Sequence, residues 1–228
     1  MFNDKYQLTK AVLEGRKTQT RRICKYSRPD ESYDIVFPIF EPKDYDDEGN
    51  NTSALNYAFG WGNDEGMFTG WNKPHYKVGE IVAIAQSYKD LGYNEIALDR
   101  SPKDWRIVRG TLGKCKGWNN KMFVRAEACV HQIKITNVRI QRLQDISDED
   151  CLAEGVVKSV HNIPTQAPQS IVGYYPSLSL KEAADKVGWG HTYSTPQYAY
   201  AALIDKVSGN GTWESNPWVF VYEFELVK

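Results

Sequence analysis

Hydrophobic positions fall into a few short segments, and their spacing changes along the chain. Tyr6, Leu8, Ala11, Val12 and Leu13 recur at roughly helical intervals, which predicts an amphipathic helix over residues 4–14 with Gly15 as its C-terminal stop. Residues 26–76 lose any period. Asp, Asn, Gly and Pro alternate there with isolated aromatics, as in Gly60-Trp61-Gly62 and Gly70-Trp71-Asn72, and only 34–40 has the character of a strand. A stretch this long and irregular inside a domain reads as an insertion. The apolar run 81–85 predicts a short buried strand, and 89–120 is again loop-rich. Residues 122–130 alternate moderately and 132–143 alternate well, with a break near Asn137, so both are expected as strands.

Ser147 stands three positions before Asp150, which predicts a capped helix through about Ala153, ended by Gly155. Residues 158–192 form a second insertion with a helix over 180–187. Pro196 opens another helix, to about Val207, at the position where proline is best tolerated. Gly209-Asn210-Gly211 breaks it, and residues 218–226 form the closing strand. Strands separated by long loops, with helices at three places, predict an α+β fold: a small curled sheet or barrel flanked by helices. The alternation of a dinucleotide-binding fold is missing, no Walker A sequence occurs, and Gly60-Trp61-Gly62 lacks a third glycine.

At 228 residues the length favours one main domain carrying insertions. The 28 basic and 29 acidic side chains give a net charge of -1, which disfavours a role in holding long duplex DNA by neutralising phosphates. The positive charge is local, with Arg16, Lys17, Arg21, Arg22 and Lys25 close together, offset by Asp44, Asp46, Asp47 and Glu48. Cys24, Cys115, Cys129 and Cys151 form no C-x-x-C and no zinc pattern with the histidines, so neither a metal nor a cofactor is expected. No apolar run marks a signal peptide or a membrane span, and the chain reads as cytoplasmic.

The run Gly15-Arg-Lys-Thr-Gln-Thr-Arg-Arg22 joins two hydroxyls to four cations with no acid, directly after a helix stop. The plain alternative is a strand solvated on both faces. The chemical reading is a site for an anionic or carbonyl-bearing ligand. Trp61, Trp71, Trp105 and Trp118 lie in loop-like segments, where they either stack on bases or anchor loops to the core. Trp213 and Trp218 read as packing the last helix against the barrel, and His191 as structural.

Ala11-Val-Leu-Glu-Gly-Arg-Lys-Thr-Gln-Thr-Arg-Arg22 resembles the opening signature of the ASCH domain, a relative of the PUA RNA-binding domain. Tyr76-Lys-Val-Gly-Glu80 is similar to that family's second block. Asn137-Val-Arg-Ile-Gln-Arg-Leu-Gln-Asp-Ile-Ser-Asp-Glu-Asp-Cys-Leu-Ala-Glu-Gly155 is similar to the third block of long phage and prophage members, and Asn216-Pro-Trp-Val-Phe-Val-Tyr-Glu-Phe224 to their last strand. The resemblance covers about a third of the chain and has no counterpart for the insertions at about 26–76 and 158–192. It implies a PUA-like small β-barrel, binding of RNA or a modified nucleoside, and, from small bacterial members, hydrolysis of N4-acetylcytidine by a Lys-Thr-Glu site. By motif those residues are Lys17, Thr20 and Glu154.

The trio also makes chemical sense: Thr20 attacks, Lys17 takes its proton when burial and Arg16 and Arg21 lower its pKa, and Glu154 shuttles a proton to the leaving amine or orients water. Arg21 or Arg22 would hold a phosphate or the oxyanion. Ala85-Gln86 stands where many long members carry an Arg-Glu pair, which puts Gln86 among the ligand-binding candidates. A non-catalytic reader of RNA or modified bases is the alternative; RNA cleavage is a third and less favoured reading, with little direct support in the sequence.

Overall fold

Ile133 and Ile135 have odd numbers in the longest strand and Val138 an even one, yet all three are buried. The switch of parity is a β-bulge. Glu223 of the neighbouring strand lies opposite Asn137 and Phe224 opposite Ile135, which leaves Thr136 as the extra residue. A bulge restores the apolar face after the insertion and bends the strand.

The computed structural model describes residues 2–36, 58–96, 98–100, 107–163, 169–187 and 192–227. A 3-10 turn at Asp4–Tyr6 and helix α1 (Leu8–Leu13) come first. Strands β1 (Gln19–Ile23), β2 (Asp34–Val36), β3 (Gly60–Gly62), β4 (Ile81–Ala83), β5 (Leu98–Arg100) and β6 (Ile107–Thr111) follow. Then come β7 (Gln132–Arg142), helix α2 (Asp148–Ala153), β8 (Val157–Ile163), β9 (Gln169–Tyr175), helices α3 (Leu178–Val187) and α4 (Pro196–Ser208), and β10 (Trp218–Leu226).

The main sheet is antiparallel, in the order β1-β10-β7-β4, and pairs β2-β3, β5-β6 and β8-β9 form small separate sheets. The result is a mixed α+β architecture around a curled, barrel-like sheet. Cross-strand partners share a face. One face of the sheet carries Phe220, Tyr222 and Val138, packed with Phe59 and Trp61 from the first insertion. Trp61 is buried, its ring 5.9 Å from Phe59 and 6.0 Å from Trp218, so this loop tryptophan is an anchor. Trp213 packs edge-on against Tyr200 of α4, as expected. The other face carries Gln19, Arg21, Arg139 and Glu223, and is covered by α2 and α4.

Several expectations need correction. Residues 122–130 are not a strand but two 3-10 turns, Lys121–Phe123 and Ala126–Ala128. Asn120 caps the first by accepting from the Met122 amide, and Met122, Phe123 and Val130 are exposed, so the apparent alternation has no buried face. The N-terminal helix is split at Gln7, whose φ of 54° breaks the α-helical path. The second insertion contains the β8-β9 hairpin, and the loop-rich 89–120 region contains β5 and β6. The strand expected over 34–40 is described only as far as Val36. Trp105, His191 and the acids Asp44, Asp46, Asp47 and Glu48 lie outside the described residues. Among the described residues no helix is long and apolar enough to cross a membrane.

Candidate active site

Gly15 has φ 71°, a conformation that glycine adopts without strain, and it reverses the chain after α1. The Ala11 carbonyl then accepts from the amides of both Arg16 and Lys17, each at 2.9 Å, which turns the Lys17 side chain inward. The Thr18 amide donates to the Ala153 carbonyl at 2.9 Å and so ties the basic run to the end of α2. Helix α2 starts at Ser147, whose hydroxyl accepts from the Asp150 amide at 3.1 Å, and ends at Glu154, whose amide returns to the Asp150 carbonyl. Gly155 has φ 107°, and a Cβ there would lie 3.3 Å from Leu8 and 3.8 Å from the Lys17 stem. This absence of a side chain lets the helix end approach Lys17.

Two segments far apart in sequence thus meet. Lys17 Nζ donates to Glu154 Oε2 at 2.6 Å and to the Glu154 carbonyl at 2.8 Å. Lys17 is 2% exposed and Glu154 4%, so neither charge is screened by bulk water. Arg21 donates to Glu154 Oε1 at 3.0 Å and to Asp150 Oδ2 at 2.7 Å, and its guanidinium lies over the Tyr200 ring. Gln19 Nε2 donates to Asp150 Oδ1 at 2.7 Å, and Arg139 bridges Asp150 to Glu223. Lys17, Arg21 and Arg139 face Glu154, Asp150 and Glu223, so the network is balanced in formal charge.

Burial drives the Lys17 pKa down; the Glu154 carboxylate opposes this, and Arg22 and Arg21 add to the lowering. For Arg21 burial again acts to lower, but Glu154, Tyr200 and Asp150 outweigh it and the pKa is raised. Burial pushes the Tyr200 phenol well above its ordinary value and the Cys151 thiol up to about 12, so neither ionises at neutral pH.

A small cleft of about 50 Å³ opens on this network, between the N-terminal segment at Phe2, α4 at Leu203 and the outer edge of β1. Lys17, Thr20, Arg21, Arg22 and Glu154 all line it. The alternative of a strand solvated on both faces is overturned, because Lys17, Gln19 and Arg21 are buried. Strand alternation turns Thr20 and Arg22 to the side opposite Gln19 and Arg21, and both reach the cleft along the sheet edge. The Thr20 hydroxyl has no hydrogen-bond partner among the described residues. The volume admits only a small group.

Arg16 is elsewhere: it pairs with Glu14 Oε2 at the surface, at 2.6 and 2.9 Å. Gln86 follows β4, the opposite end of the sheet order from β1, and does not line the cleft; its Oε1 is buried without a partner among the described residues. Sequence reasoning missed Asp150, Arg139 and Tyr200 as members of the site. Asp150 carried a signal, because it precedes Glu154 by one helical turn on the same face. Among the described residues no group of His, Cys, Asp and Glu is arranged to hold a metal ion.

Comparisons with protein-family models, with curated proteins and with solved structures return no match to this chain.

Proposed function

We propose that the chain is a PUA-like protein of the ASCH type that binds RNA or a modified nucleoside and hydrolyses an N4-acylcytidine-type amide in the cleft. The observation that supports this most is the meeting of Lys17 and Glu154 at 2.6 Å in a cleft that Thr20 also lines. In the productive form Lys17 is neutral, an outcome its burial favours. The Thr20 hydroxyl gives its proton to the Lys17 amine while its oxygen bonds to the acyl carbon. The tetrahedral oxyanion is met by Arg22, on the same strand face as Thr20. The carbon–nitrogen bond then breaks, and the proton held by Lys17 passes through Glu154 to the departing amine. Water attacks the threonyl ester, gives its proton to Lys17, and releases the acid as Thr20 Oγ takes that proton back.

A non-catalytic reader of the same ligand draws support from a different observation. Both Glu154 carboxylate oxygens are already engaged, one by Lys17 and one by Arg21. Incubating the purified protein with N4-acetylcytidine, and with an RNA oligomer that carries it, separates the two. Hydrolysis predicts acetate release that falls by at least about 100-fold in Thr20→Ala and Lys17→Met. Binding of the oligomer with no acetate release would leave the reader.

A further inference from the structure

The first insertion supplies one wall of a second concavity. Arg22, Lys25, Tyr26, Trp71, Lys73 and Tyr222 line an open groove of about 290 Å³. That volume is close to the lower end of the ~300–1,000 Å³ typical of small-molecule sites, and several times that of the cleft. Arg22 belongs to both cavities and forms their common wall.

The groove is held in shape by buried polar contacts. Asn72 is 1% exposed; its Oδ1 accepts from the Tyr26 amide at 2.8 Å, and its Nδ2 donates to the Tyr26 carbonyl at 3.1 Å. Trp61 Nε1 donates to the same carbonyl at 3.2 Å, and the His75 amide donates to the Tyr222 hydroxyl at 2.7 Å. Gly70, at φ 99°, brings bare backbone against the Tyr26 ring: a Cβ there would lie 3.6 Å from it. Trp71 is braced edge-on by Phe68, with centroids 4.8 Å apart. Lys25 Nζ sits 4.9 Å from the Tyr26 centroid. The ammonium of Lys25 lies over the Tyr26 ring, and an aromatic ring beside ammonium groups matches a flat heterocycle joined to an anion. Burial pushes the Cys24 thiol up to about 12, so the cysteine beside the groove is no nucleophile at neutral pH.

We propose that this groove is a nucleotide-binding site, with the base against Trp71 and the phosphate held by Lys25 and Lys73. Resting on the function proposed above, the groove seats the nucleotide next to the one whose amide enters the cleft, and Arg22 lies between them. The preferred substrate is then a single strand rather than a free nucleoside.

The test is titration of cytidine, cytidine 5′-monophosphate and an unmodified cytidine-containing RNA hexamer against the full chain, read by calorimetry. Trp71→Ala is expected to weaken the hexamer by roughly 5- to 150-fold, the range for one lost stacking partner. Lys25→Ala with Lys73→Ala removes two exposed side chains and lowers the salt slope of binding by about 0.7. Equal affinity for the monophosphate and the hexamer, with the same sensitivity to the variants, would keep the site but overturn the adjacent seat. No binding, or binding indifferent to both sets of variants, overturns the groove whatever the acetate assay gives. Acetate release that ceases with groove binding intact overturns only the cleft chemistry.

Discussion

Taking the Lys17 ammonium and the Glu154 carboxylate out of water costs several kcal/mol for each ion. Two short hydrogen bonds from Lys17 and one from Arg21 offset that cost without obviously exceeding it. The energetic consequence is asymmetric. Lys17→Met strands a carboxylate and is expected to lose about 3–5 kcal/mol, as is Glu154→Leu, which strands an ammonium. The double variant strands neither and is expected to recover most of the loss, so urea unfolding of the cycle should give a coupling of several kcal/mol. Additive losses would mean that the two charges do not depend on each other. Lys17 and Glu154 were legible as candidates from motif resemblance, but their burial was not: a basic octapeptide has no local feature that separates a solvated strand from one covered by a helix end 137 positions later.

Helix α2 and the turn after it carry the aim of the site. Gly155 lets the helix end lie against Leu8 and the Lys17 stem while its backbone holds φ 107°. Gly155→Ala therefore meets both a strained dihedral and a contact of 3.3 Å, and is expected to cost about 1–3 kcal/mol. Because Glu154 is the residue displaced, any acetate release should fall further than the loss of folded protein explains; a purely global effect would keep activity per folded molecule constant. The elements that sequence reasoning found are those whose pattern is enforced by a core: β7 with its parity switch at the bulge, β10, α2 with its Ser147 cap, and α4 with Pro196 at its start. The β8-β9 hairpin escaped because its buried face is carried by Ser159 opposite Gly173 and by Tyr175, whereas Val160 and Val172, opposite each other on the other face, are exposed. Residues 122–130 misled for the converse reason: their alternation is real in sequence, but an asparagine cap turns the backbone before a strand can start.

At the scale of the whole molecule, the charged network joins β1, β7 and β10 to α2, so its titration reaches the stability of the entire main sheet. For Asp150 burial acts to raise the pKa, but the Gln19 amide, Arg21 and Arg139 prevail and hold it below the ordinary 3.8. The unfolded chain therefore takes up the proton first as pH falls. The stability contributed by the carboxylate is complete above 3.8 and is lost as pH drops through the lower folded value. Tyr200 works in the opposite sense, since its pKa is raised by burial: its contribution is complete below 10.0 and is lost as pH climbs through the folded value. Lys17, lowered from 10.5, binds its proton less readily when folded, so it adds stability as pH rises toward that value and partly counters Tyr200. The acid limb is the cleaner of the two. Asp150→Asn keeps the shape of the side chain, removes the charge, and resembles the protonated acid. Its melting temperature should lie below that of the native chain at about pH 6 and converge with it as pH falls through the lowered folded value, where both carry a neutral group. Thermal melts across that range decide the matter, and curves that stay parallel would mean that the Asp150 charge is not what holds α2 to the sheet.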